Sequence, residues 1–173
     1  IFEIPFVSYG YNLVAVDIRG TGSSSDVWDT FGLKEQYDIR YVVDEYIPAQ
    51  SWSDGKIGMI GGSYMGIIQL LTAGLVDTDP ATGEPVHLKA IFPLAPMSDV
   101  YRDIVMHGGN VDFLFIPAWL GMVDIFASLP SLLNLGINGK ITKENIQEAY
   151  DITKAHINFI PTTIGWVMDP DHM

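Results

Sequence analysis

Ser63 stands among glycines in Gly61-Gly62-Ser63-Tyr64-Met65-Gly66, directly after the short apolar run KIGMI (56–60). An isolated serine hydroxyl is a weak nucleophile at neutral pH; it needs a base, and the base needs a partner that orients it. The chemistry open to such a serine is acyl transfer. It attacks a carbonyl carbon while a neighbouring backbone N–H steadies the negative oxygen that forms. A strand ending at Ile60 and a helix starting at Tyr64 put the hydroxyl at a helix N-terminus, where the macrodipole favours negative charge. The same turn aims the N–H of Tyr64 at the oxyanion. Gly61 and Gly66 supply the small residues that let strand and helix approach. The generic G-x-S-x-G pattern is not met, because Met65 occupies the position of its last glycine. A Gly-Ser turn that merely links two elements is the plain alternative.

The elements that must position this turn follow from hydrophobic period and punctuation. YNLVAVDIRG (11–20) has the β-branched pattern of a buried strand. Ile39, Val42, Val43, Tyr46 and Ile47 form the stripe of a helix packed on a sheet, and Pro48 should end it. SDG (53–55) is a turn and KIGMI (56–60) a second strand. YMGIIQLLTAGLV (64–76) is apolar nearly all round, as a helix buried against a sheet would be. DTDPATGEPV reads as an acidic surface loop, and LKAIFPLAP (88–96) as a third strand stopped by Pro96. Strands alternating with helices at this spacing predict a parallel sheet and an α/β fold. After residue 97 the sequence turns helical, aromatic and Gly/Pro-punctuated, so the expected division is an α/β core over 1–96 and a helical cap region over 97–173. ITKENIQEAYDITKAHINFI (141–160) reads as a helix with Thr142 as N-cap.

Motifs ahead of and behind the serine form an ordered set. Asp17-Ile18-Arg19-Gly20-Thr21-Gly22-Ser23-Ser24 gives D-x-R-G-x-G-x-S, Trp52-Ser53-Asp54-Gly55-Lys56-Ile57-Gly58 leads into the second strand, and Gly61 to Gly66 gives G-x-S-Y-x-G. In these motifs the chain resembles the cocaine esterase / X-Pro dipeptidyl-peptidase (S15) branch of the α/β-hydrolases. APMSDVYRD (95–103) is similar to the segment that leads into that family's cap. The likeness is close over about 1–103 and one of character only beyond it. It implies a partial α/β-hydrolase fold with Ser63 as nucleophile and the Tyr64 N–H as oxyanion donor. It also implies a second oxyanion donor, a tyrosine hydroxyl, upstream of Ile1.

In α/β-hydrolases the triad runs serine, acid, histidine along the chain. His87 adjoins the acidic loop and reads as a solvated side chain. His107, in HGGN, follows the nucleophile, whereas a lipase oxyanion loop precedes it. His156 falls on the expected 141–160 helix, and no strand precedes His172. Asp99 is the best-placed carboxylate, yet the resemblance puts the acid beyond a further strand. The expectation is therefore that acid and base lie outside these residues, and that the chain is the central part of a larger hydrolase, inactive alone. The opening IFEIPFVSYG has neither the basic nor the long apolar region of a secretory signal and reads as mid-element; the compartment stays open.

Composition narrows the partners. A net charge of −12 opposes a phosphate-backbone grip on nucleic acid and attraction to anionic membranes. The chain has no cysteine, and so no thiolate nucleophile or cysteine-bound metal. In DTDPATGE, Ala81 and Gly83 break the ligand pattern of a calcium loop, so neither metal nor cofactor is expected. The run FLFIPAWLGMVDIFASLPSLLNLG (113–136) is broken by Pro117, Asp124 and Pro130, and reads as a buried or substrate-facing helical cover rather than a membrane span. Arg19 and Asp17 read as structural. Phe113, Phe115, Trp119 and Trp166 are candidates to line a pocket for a small ester, amide or short peptide, with ordinary core packing as the alternative. The function expected is serine hydrolysis of an ester or amide bond, acyl or X-Pro peptidyl, through an acyl-enzyme. Its rival is a hydrolase-like binding scaffold with a vestigial serine.

Overall fold

The computed structural model describes residues 5–22, 24–119 and 121–123, together with Ile146, Gln147, Tyr150, Asp151 and Lys154. The chain divides into two compact units, one formed by 1–16 and 31–98, the other by 17–30 and 99–173.

The first unit carries the sheet. Helix α1 (Leu33–Tyr41) continues into a π-helical turn (Val42–Tyr46), and strand β1 (Ile57–Gly62), helix α2 (Tyr64–Ala73) and strand β2 (Leu88–Leu94) follow. β1 and β2 pair in parallel, Ile57 against Leu88 and Gly62 against Leu94. α2 supplies the crossover that parallel neighbours require. This is the partial α/β fold that the alternation of elements predicts. Ile39, Val43, Ile57, Ile67, Ile68, Val76 and Leu88 are buried and make the core of this unit.

Pro93 sits within β2 at no cost to the pairing. Leu94 turns its carbonyl to β1, where it accepts from the Ser63 N–H at 2.9 Å, so the adjacent Pro93 faces the other way. The helix expected over 39–47 begins earlier, at Leu33, and its last turn widens to i→i+5, with Ile47 N–H on the Val42 carbonyl at 3.0 Å. That turn carries the buried Asp44, whose Oδ2 accepts the Asp77 N–H at 2.8 Å beyond the end of α2. Arg40 completes the tie at 2.7 Å to Asp77 and 3.5 Å to Asp44.

The strand expected over 11–20 does not form. Residues 11–17 are exposed and irregular, and among the described residues no ladder joins them to β1 or β2. A strand is a pairing, and an apolar β-branched run has the composition of one without specifying a neighbour.

In the second unit, residues 17–30 close a tight loop. Gly20 and Gly22 hold φ of 71° and 56°. A Cβ on Gly20 would strike the backbone of Trp28, and one on Gly22 the carboxylate of Asp17. Ser24 Oγ donates to the Asp17 carbonyl at 2.6 Å, and Arg19 pairs with Asp26 at 2.5 Å. Trp28 is buried and meets Trp119 at 5.8 Å between ring centres. A π-helical turn (Tyr101–Val105), a 3₁₀ turn (His107–Gly109) and helical residues at 115–119 and 121–123 follow. Of the helix expected over 141–160, the described residues 146, 147, 150, 151 and 154 are helical, while Thr142 lies outside the described residues.

Candidate active site

Ser63 is the single residue between β1 and α2 and is exposed to solvent. It holds φ 55°, ψ −123°, a conformation that glycine adopts freely and a residue with a Cβ does not. Its own N–H is fixed to the Leu94 carbonyl at 2.9 Å, and its carbonyl accepts from Gly66 at 2.8 Å and Ile67 at 3.0 Å as the first turn of α2 closes. The side chain is thereby thrown outward at the carboxyl end of β1 and the amino end of α2. The first N–H groups of a helix have no partner within the helix, so this corner presents donors and positive partial charge.

Gly61 and Gly66 are required sterically, and the reason is specific at each. A Cβ at Gly61 would lie 2.5 Å from the Met65 Cβ, and one at Gly66 would lie 2.7 Å from the Leu94 carbonyl oxygen. Met65 tolerates its position, where the generic pattern has a glycine, because its side chain points to solvent at 61% exposure.

Behind the serine, Tyr64 is anchored at both its ring and its hydroxyl. The ring stacks on Phe31 with centroids 4.3 Å apart and planes at 23°. The hydroxyl donates to Glu35 Oε2 at 2.5 Å and accepts from the Phe31 N–H at 3.3 Å. Glu35 is fully buried. Sequence reading missed Glu35 and Phe31, although the burial of position 35 was signalled. The buried stripe of α1 runs Ile39, Val43 at four-residue spacing, and one step back lands on a carboxylate.

The histidines and acids fall as follows. His87 is the one histidine in the sequence of this unit, and its Nδ1 lies 2.9 Å from the Gly55 carbonyl, before the start of β1. At about 3.3 Å per strand residue that places it about 20 Å from Ser63, at the far end of the sheet. Within this unit no described side chain hydrogen-bonds Ser63 Oγ. His107 is an exposed residue of the 3₁₀ turn, while His156, His172 and Trp166 lie outside the described residues. Asp99 caps its own π-helical turn, taking the Arg102 N–H at 3.1 Å. Asp79, in the acidic loop, takes the Ala81 N–H at 2.8 Å in a local turn. Among the described residues no group of histidine and carboxylate side chains is placed to hold a metal, and no helix is long and apolar enough to cross a membrane. Phe113 is 81% exposed and Phe115 46%, whereas Trp119 packs on Trp28.

A parallel strand pair with its crossover helix, and a glycine-flanked serine at the strand-to-helix corner, make a partial α/β fold of the kind that the α/β-hydrolases contain. The profile of the X-Pro dipeptidyl-peptidase (S15) family matches residues 2–151, and the chain belongs to that family. Over 118 residues, 66% of the chain, it is 33% identical to proteins named serine esterase in Mycobacterium bovis and Mycobacterium tuberculosis. Over 99 residues, 57% of the chain, it is 31% identical to a cocaine esterase of a Rhodococcus species. The matched stretch spans 17% of the mycobacterial proteins and 16% of the Rhodococcus one. No solved structure matches the chain significantly.

Proposed function

We propose that Ser63 is the nucleophile of a serine hydrolase that cleaves an ester or amide bond, acyl or X-Pro peptidyl, through an acyl-enzyme. The observation that carries this reading is the backbone of Ser63 at φ 55°, ψ −123° between β1 and α2, which we read as a nucleophile elbow. Strain of this kind persists where its surroundings enforce it, and here the Leu94 carbonyl and the two glycines do so.

In the reaction, Ser63 Oγ bonds to the substrate carbonyl carbon as its proton passes to a histidine. The carbonyl oxygen, now negative, takes a hydrogen bond from the Tyr64 N–H. The tetrahedral intermediate collapses, the leaving alcohol or amine departs with the proton, and water then releases the acyl group by the same steps. The histidine and its aspartate lie outside these 173 residues in this reading, which the small share of the relatives' length matched here supports. We further propose that the region 97–173 is the cap of this hydrolase and that its Phe113, Phe115 and Trp119 serve the acyl portion of a small or peptidic substrate.

The test is a pre-steady-state burst with p-nitrophenyl acetate. The complete gene product is expected to release one equivalent of nitrophenol per active site, Ser63→Ala none, and the 173-residue chain none. Loss of at least about 10³-fold is expected for Ser63→Ala. A complete gene product that neither bursts nor reacts with a fluorophosphonate at Ser63 would leave the scaffold reading in its place.

A further inference from the structure

We propose that Glu35 is a positioning residue for the oxyanion-binding N–H of Tyr64, acting through the tyrosine hydroxyl. The proposal rests on the roles given above to Ser63 and Tyr64.

Three observations within one compact unit carry it. Glu35 has no exposed surface, on a helix face whose neighbours Ile39 and Val43 are core. A carboxylate is a costly residue to bury there, and an apolar side chain of similar size would stabilise the unit at least as well. Its Oε2 accepts the Tyr64 hydroxyl in a short bond of 2.5 Å. Phe31 then closes on the same tyrosine from the other side, with its ring stacked at 4.3 Å and its N–H donating at 3.3 Å.

Phe31 does this from a positive φ of 56°, unusual for a bulky residue, and its carbonyl is held in turn by Gln36 Nε2 at 2.6 Å. Two exceptional choices, a buried acid and a strained aromatic, therefore converge on one side chain. That side chain belongs to the first residue of α2, whose N–H adjoins the nucleophile.

A side chain fixed at both ring and hydroxyl has one χ1 and one χ2, and so fixes the Cα to which the N–H is attached. Oxyanion stabilisation depends on a donor standing within a few tenths of an ångström of its place before the charge develops. Releasing the hydroxyl leaves the donor in the site but lets it wander. The effect should fall on the transition state and spare substrate binding.

The experiment uses the complete gene product with Tyr64→Phe, Glu35→Gln, Glu35→Ala and Ser63→Ala. It reads the acylation rate constant, the apparent substrate affinity, the inhibition constant of a phenylboronic acid that forms a tetrahedral adduct on serine, and the melting temperature. Tyr64→Phe, which keeps the stack on Phe31, is expected to slow acylation and weaken the boronate by a common factor of about 10, with substrate affinity changed less than about twofold. Glu35→Ala should match it, and the double variant should be no worse than either single one. Glu35→Gln retains an oxygen acceptor for the phenol and should recover most of the loss.

If Tyr64→Phe shifts only the melting temperature, Glu35 is structural and the proposal is overturned. Tyr64→Phe also decides the matter should Glu35→Ala fail to fold. An active Ser63→Ala removes the nucleophile assignment and this proposal with it. An inactive Ser63→Ala beside an unaltered Tyr64→Phe removes the positioning role alone.

Discussion

Ser63 carries a Cβ in a backbone conformation that costs a non-glycine residue about 1–3 kcal/mol. Ser63→Gly should therefore abolish hydrolysis yet raise unfolding stability by about 1 kcal/mol, whereas Ser63→Ala, which keeps the Cβ, should not. Urea denaturation of the two variants side by side checks this; equal midpoints would mean that the turn is relaxed. At this scale the sequence was legible where chemistry imposes composition. A serine with a glycine two before and another three after can be read directly, because each glycine answers to a neighbour within a few residues or to the strand just beyond. Glu35 was not legible as a site residue. Its partner is 29 positions away, and nothing in a helical stripe says which buried acid faces which hydroxyl.

β1, α2 and β2 were legible because each is a short apolar run bounded by turn residues, and only a parallel pairing accommodates a helix between them. The run at 11–20 has the same composition, but among the described residues no strand pairs with it, so pattern alone misled. Gln69 shows what holds these elements together beyond pattern. It is 1% exposed on α2, its Nε2 donates to the Met65 carbonyl at 2.7 Å and to the Gly61 carbonyl at 3.2 Å, and its Oε1 accepts the Phe92 N–H at 2.9 Å. One side chain thus bridges the helix to both strands. Gln69→Leu keeps the volume and strips every one of these bonds from part-buried backbone groups, and should cost about 1–3 kcal/mol. A loss below about 0.5 kcal/mol in equilibrium denaturation would show that other groups satisfy them.

Over the whole molecule, 21 acidic residues face 9 basic ones. Such an excess repels itself in the compact state, and the range of that repulsion shrinks from about 30 Å at 0.01 M salt to about 8 Å at 0.15 M. The melting temperature is accordingly expected to rise with sodium chloride across that interval. A flat or falling response would mean that local pairs such as Arg40 with Asp77 outweigh the net charge. The bond from Ser63 N–H to the Leu94 carbonyl has a further consequence, one of order in time. A ribosome makes β1, the serine and α2 before it makes the residue that holds the serine in place. Until Leu94 has emerged and β2 has docked beside β1, the serine turn lacks its anchor and the nascent chain carries Ser63 without its fixed geometry. The serine turn is thus fixed late, by β2, and a chain stalled short of that strand holds Ser63 without its anchor.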